Sequence, residues 1–83
     1  MSKPIVLTLL SRPYCHLCHD MEAALQPLLC AFEVELDIVD VDLDPDLEAG
    51  YGERVPVLLH ADRELCHYFL DGARVRDYLS EIR

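Results

Sequence analysis

Cys15 and Cys18 are separated by two residues, Cys15-His16-Leu17-Cys18, and follow directly on the apolar run Ile5 to Leu10. That spacing puts both sulfurs within one helical turn, close enough to join with little backbone movement. They open a helical pattern of apolar residues, Leu17, Met21, Leu25, Leu28, Leu29 and Phe32. A helix N-terminus carries unpaired N–H groups and a partial positive charge, both of which favour thiolate over thiol. The chemistry suited to this placement is thiol–disulfide exchange. Cys15, before the helix, is the expected nucleophile, and Cys18, in the first turn, the expected resolving thiol. An ordinary thiol is only about 3% ionised at pH 7, so the nucleophile needs help. The candidate sources are the amides of Leu17 and Cys18, the guanidinium of Arg12 and a partly protonated His16.

The elements that must position the pair can be read along the chain. Ile5 to Leu10 is a continuous apolar run, as in a strand covered on both faces. Ser11 to Tyr14 form a loop, and the first helix runs to about Phe32, with Pro27 expected to kink or shorten it. Val34, Leu36 and Ile38 alternate with acidic residues, which predicts a half-exposed edge strand whose phase breaks at Val39. Asp44-Pro45 predicts an N-cap and first helical residue, with Gly50 or Gly52 ending that short helix. Two strands follow, from Val55 to Leu59 and from Leu65 to Phe69, joined by a turn at Ala61, Asp62 and Arg63. Asp71 then caps a last helix whose apolar face is Val75, Tyr78, Leu79 and Ile82. The order is β-α-β-α-β-β-α, an α/β chain expected to form one domain over residues 1–83.

With a CxxC at a strand-to-helix junction and Val55-Pro56-Val57 opening a later strand, the chain resembles the thioredoxin-like superfamily. Within it, Ser11-Arg12-Pro13-Tyr14-Cys15 and the small size look most like a compact glutaredoxin-like protein. The resemblance implies a minimal thioredoxin fold, a four-stranded mixed sheet in the order 2-1-3-4 flanked by helices. It also implies a cis Val55-Pro56 bond facing the dithiol, and a substrate-binding surface from Arg12, Tyr14, Arg54, Val55 and Pro56. The activity implied is dithiol exchange on a protein or small-molecule disulfide, with no bound cofactor. Glutathione is a candidate co-substrate, and Arg12 and Arg54 are expected to form a small basic rim that could receive its carboxylates. Three departures weigh against glutathione or alter the redox poise. His16-Leu17 stands where dithiol glutaredoxins usually have Pro-Tyr. The double-glycine turn before the last helix is replaced by Phe69-Leu70-Asp71-Gly72. Asp71 also puts a negative charge near the docking position.

Charge and composition narrow the partners. The formal net charge of -9 over 83 residues argues against nucleic acid. Eight carboxylates lie between Glu33 and Glu48 with no Lys or Arg among them, read as a solvated acidic edge, with a docking surface for a basic partner as the alternative. Ile5 to Leu10 is too short for a signal peptide or a membrane span, and a cytoplasmic, reduced monomer is expected. There a CxxC is catalytic or metal-binding rather than a structural staple.

Other readings compete for the same residues. Cys15-His16-Leu17-Cys18-His19 matches the C-x-x-C-H pattern of c-type haem attachment. Haem is disfavoured because Met21 is too close to serve as the second axial ligand and the C-terminal half reads as strands. Zinc on Cys15, Cys18, His16 and His19 is disfavoured because adjacent Cys-His pairs on one turn diverge, and no metal ligand set is expected. Cys30 and Cys66 are expected to be small core residues. The serious alternative to catalysis is a non-catalytic binding module on a thioredoxin-like scaffold.

Overall fold

The structure, a computed structural model, describes residues 5–82, so the ends of the expected 1–83 domain lie outside the described residues. Strand β1 (Val6–Ser11) leads into helix α1 (His16–Phe32) and strand β2 (Glu35–Asp40). A 3₁₀ turn (Val41–Leu43) and helix α2 (Pro45–Tyr51) follow, then strands β3 (Val57–His60) and β4 (Arg63–His67), then helix α3 (Gly72–Ile82). The four strands form one sheet in the order β2-β1-β3-β4. β1 and β2 are parallel, as the helical crossover through α1 requires, whereas β1–β3 and β3–β4 are antiparallel. This is the minimal thioredoxin fold.

Alternation along the central strands splits the core between the two faces of the sheet. Leu7 and Leu9 on β1 and Leu58 on β3 pack with Met21, Leu25 and Leu28 of α1 and with Val75 and Leu79 of α3. Leu10 and its partner Val57 face the other way, with Leu59 and Val41, under Leu47 and Tyr51 of α2. Helices α1 and α3 therefore cover one face and α2 the other. The coverage explains the apolar run in β1, although Val6 at its start remains exposed.

Local chemistry sets the ends of the helices. The Asp44 carboxylate accepts the amides of Asp46 and Leu47 at 3.0 and 3.3 Å, with Pro45 at the first helical position and Gly52 closing α2. Asp71 caps α3 through its carboxylate, 3.1 Å from the Arg74 amide. At the end of α1, Glu33 takes a left-handed conformation (φ 54°), and the Val34 amide bonds back to the Leu29 carbonyl.

Several expectations need correction. Pro27 does not shorten α1, which continues to Phe32. Both Pro27 and Ala23, the residue whose carbonyl it leaves without an amide partner, are exposed, so water can satisfy that group. Ile38 lies exposed on the edge strand instead of on a buried face. Of the two readings of the phase change at Val39, a bulge or the strand's end, the second holds: the β1–β2 register is unbroken and β2 ends at Asp40. Strand β4 stops at His67, short of Phe69. The chain turns at Tyr68 (φ 64°), whose amide donates to the Pro56 carbonyl at 2.9 Å. Cys30 is exposed, since it lies about 200° around the helix from the buried Leu28. Cys66 is half-buried. Near it the register shifts, Leu58 pairing with Cys66 and Leu59 with Glu64, so that Leu65 is the extra residue.

Candidate active site

Cys15 is placed by the way β1 ends. After Ser11 the chain leaves the sheet, and the Cys15 amide closes a turn onto the Arg12 carbonyl at 3.1 Å. Cys15 itself is extended (φ -90°, ψ 112°) and serves as the N-cap of α1. Its sulfur takes the place of the usual capping oxygen and accepts the Cys18 amide at 3.2 Å. One orphan donor of the helix N-terminus is thereby aimed at the sulfur.

The two thiols differ in environment. Cys15 is half-buried, whereas Cys18 faces the core with 1% exposure. Burial, together with hydrogen bonding of its thiol to Cys15, pushes Cys18 up to about 12. Cys18 therefore keeps its proton at neutral pH and Cys15 is the accessible sulfur. His16, between them, is 90% exposed and lies 3.5 Å from the Asp20 carboxylate one turn on. Burial also pushes the Cys66 thiol up, but Cys66 belongs to β4 and has no CxxC partner.

The Val55–Pro56 bond is cis, as the resemblance implies. Leu10 pairs with Val57, so one further step along the antiparallel register brings Pro56 opposite Ser11, where the Cys15 loop begins. Pro56 is buried and Val55 half-buried, while Tyr14 is 75% exposed. Tyr68 closes the far side of the Val55–Pro56 segment, its hydroxyl donating to the Glu53 carbonyl at 3.0 Å.

The two expected cations of the rim are engaged within the chain. Arg12 donates from one terminal nitrogen to Asp42, and from the other to Glu48 at 2.6 Å and to the Gly52 carbonyl at 2.9 Å. The Tyr14 hydroxyl lies 3.5 Å from the same group. Arg54 donates to Glu64 at 2.8 Å and to the Gly50 carbonyl at 3.1 Å, and stacks over the Tyr51 ring. Asp42, Glu48, Gly52 and Glu64 therefore belong to the surroundings of the site, although they lie far from it in sequence. Gly52 has a specific reason to be small. A β-carbon there would come within 2.5 Å of the Glu48 carbonyl and 2.7 Å of the Arg12 guanidinium. Among the described residues, no three His, Cys, Asp or Glu side chains converge as metal ligands. None of the helices is long and apolar enough to cross a membrane, again among the described residues.

Residues 6–80 match the family described as Glutaredoxin-like domain (DUF836). The chain belongs to that family. Uncharacterised proteins of Mycobacterium tuberculosis and Mycobacterium bovis are 33% identical to it over 81 residues, covering 92% of this chain and 82% of theirs. A Nitrosomonas europaea protein solved by NMR is 39% identical, with 94% of each chain covered and a TM-score of 0.83. An X. campestris protein is 37% identical, with 90% of this chain and 96% of that one covered and a TM-score of 0.66. Thioredoxin 1 of Thermosipho africanus, 17% identical with a TM-score of 0.62, shares the fold of this glutaredoxin-like chain; 94% of this chain and 98% of that one are covered.

Proposed function

We propose that the protein is a thiol–disulfide oxidoreductase working through a two-cysteine cycle. The observation that carries this reading is the asymmetry of the pair. An accessible sulfur at the helix N-cap receives the amide of the very residue whose own sulfur is buried. A structural pair or a metal site has no need of that division.

In the proposed cycle the Cys15 thiolate attacks one sulfur of a substrate disulfide. A Cys15–substrate disulfide forms, the substrate S–S bond breaks, and the first substrate thiolate leaves and is protonated by solvent. Cys18 then gives up its proton and attacks the Cys15 sulfur, expelling the second substrate thiolate. Two electrons have passed from the dithiol to the substrate, leaving a Cys15–Cys18 disulfide that an external dithiol, or two monothiols, reduces again. Burial of Cys18 supports this order, since a sulfur withheld from solvent meets a disulfide only after Cys15 has brought one in. Tyr14, Val55 and Pro56 are proposed as the surface against which the substrate chain lies. Arg12 is assigned the role of holding the Cys15 loop against α2 through Glu48 and Gly52.

The test is reduction of insulin disulfides by the full-length protein with a chemical dithiol as electron source. Wild type should accelerate the reaction, Cys15→Ser should abolish the acceleration, and Cys30→Ser should leave it unchanged. Acceleration that persists in Cys15→Ser would refute the reading.

A further inference from the structure

We propose that the dithiol selects positively charged disulfides, specifically a disulfide in a peptide segment flanked by Lys or Arg, and discriminates against anionic ones such as oxidised glutathione. This rests on the exchange reading above and adds the substrate class to it.

Receiving a carboxylate-bearing thiol takes a cation with free donors beside the reactive sulfur. Arg12 comes three residues before Cys15, and Arg54 directly precedes the cis Val55–Pro56 step. Each is already paired with a carboxylate of the chain, Arg54 with its side chain still 41% exposed. Arg12 faces two carboxylates, Asp42 and Glu48, and also donates to the Gly52 carbonyl and the Tyr14 hydroxyl. One guanidinium against two carboxylates leaves that group net negative. Its side chain is 18% exposed, so an incoming anion would have to displace a bond already made. Arg54 is held by Glu64 and the Gly50 carbonyl, and Glu64 also lies 3.1 Å from His67.

The charge at the adjoining strand end has the same sign. Ser11, at the end of β1, pairs in register with Asp40, so the acidic stretch from Asp40 to Glu48 begins at the sheet end that carries Cys15. Arg63 sits at the opposite end of the β3–β4 hairpin, paired with His60 and stacked on Tyr78. Arg74 lines an open groove with Arg63, Asp71, Asp77 and Glu81. In a chain of formal net charge -9, a substrate approaching Cys15 meets a negative field with both neighbouring cations already neutralised. Attraction of a cationic partner by such a field raises the association rate, and salt screens it.

The experiment is single-turnover oxidation of the reduced full-length protein by three peptides that share one disulfide and differ only in flanking residues, Lys, Ser or Glu, alongside oxidised glutathione. At low ionic strength the Lys-flanked peptide should react at least about tenfold faster than the Glu-flanked one, with the ratio falling towards one at high salt. The Asp42→Asn/Glu48→Gln double variant, which frees Arg12, should narrow the ratio and speed the reaction with glutathione disulfide. The salt series on the wild-type chain decides the matter even if that variant does not fold. Equal rates for all peptides, a salt-independent ratio, or glutathione disulfide reacting as fast as the Lys-flanked peptide would each overturn the charge selection and leave the exchange reading standing. No reaction with any disulfide overturns the exchange reading and the selection together.

Discussion

The Cys18 amide donates to the Cys15 sulfur at 3.2 Å, while the Cys18 thiol, buried and bonded to the same sulfur, is held protonated. One residue thus serves the nucleophile with its backbone and keeps its own side chain in reserve. The arrangement comes from the helix start. The position before the first turn stays within reach of solvent and presents its side chain to orphan amides, whereas the third helical position points into the core.

The raised Cys18 thiol has a direct consequence for labelling. With a pKa of about 12, only about 0.1% of Cys18 is ionised at pH 9, where an ordinary thiol is largely ionised. In the reduced protein, Cys18 alkylation should rise about tenfold per pH unit from pH 8 to 11 without levelling off. Mass mapping of iodoacetamide adducts across that range checks it, and a plateau near pH 9 contradicts it.

The same shift links stability to pH, and its sign is fixed. Cys18 is raised in the folded state, so its contribution is complete below the unfolded thiol's pKa, at about 8.5. It is lost as pH rises from there towards 12, because only the unfolded chain can ionise. The Cys15–Cys18 disulfide form has no such proton to lose. Thermal melts should therefore show the reduced form falling relative to the oxidised form as pH rises above about 8.5.

Gly52→Ala tests the packing behind the Cys15 loop. The added methyl would meet the Glu48 carbonyl at 2.5 Å and the Arg12 guanidinium at 2.7 Å. Overpacking of this kind costs about 1–3 kcal/mol, readable as a lower urea midpoint with an unchanged slope. A substitution without effect would contradict the close packing of Gly52 against the Glu48 carbonyl and Arg12.

Asp71→Ala should remove the cap of α3, in which the Asp71 carboxylate accepts the Arg74 amide at 3.1 Å. The expected loss is about 1 kcal/mol, and Asp71→Asn should restore most of it. Urea denaturation of the two variants separates capping from charge.

How much of this was legible in the sequence depends on the range of the interaction concerned. Strand β1, helix α1 and the caps at Asp44 and Asp71 follow from local periodicity and capping chemistry, and they appear where expected. The sheet order and the cis bond at Pro56 came from the family resemblance, since no local pattern specifies either. Residue type alone points Cys30 into the core, whereas helical phase excludes it from the buried stripe of Cys18, Met21, Leu25 and Leu28. The end of β4 is not local either, because Tyr68 is turned by a bond to Pro56, on the neighbouring strand's approach. The seat of Arg12 was illegible for the same reason. Asp42 and Glu48 lie 30 and 36 residues away, and in one dimension they belong to an acidic run that reads as solvated.

The most direct measurement of the central claim is intact-mass analysis of Cys18→Ser after mixing with a disulfide peptide. With the resolving sulfur gone, the account predicts a stable mixed disulfide of one protein and one peptide half, mapping to Cys15. Cys15→Ser treated identically should stay at the mass of the unmodified chain. A peptide adduct on Cys30 or Cys66 in place of Cys15, or equal trapping on Cys18 in the Cys15→Ser variant, would contradict it.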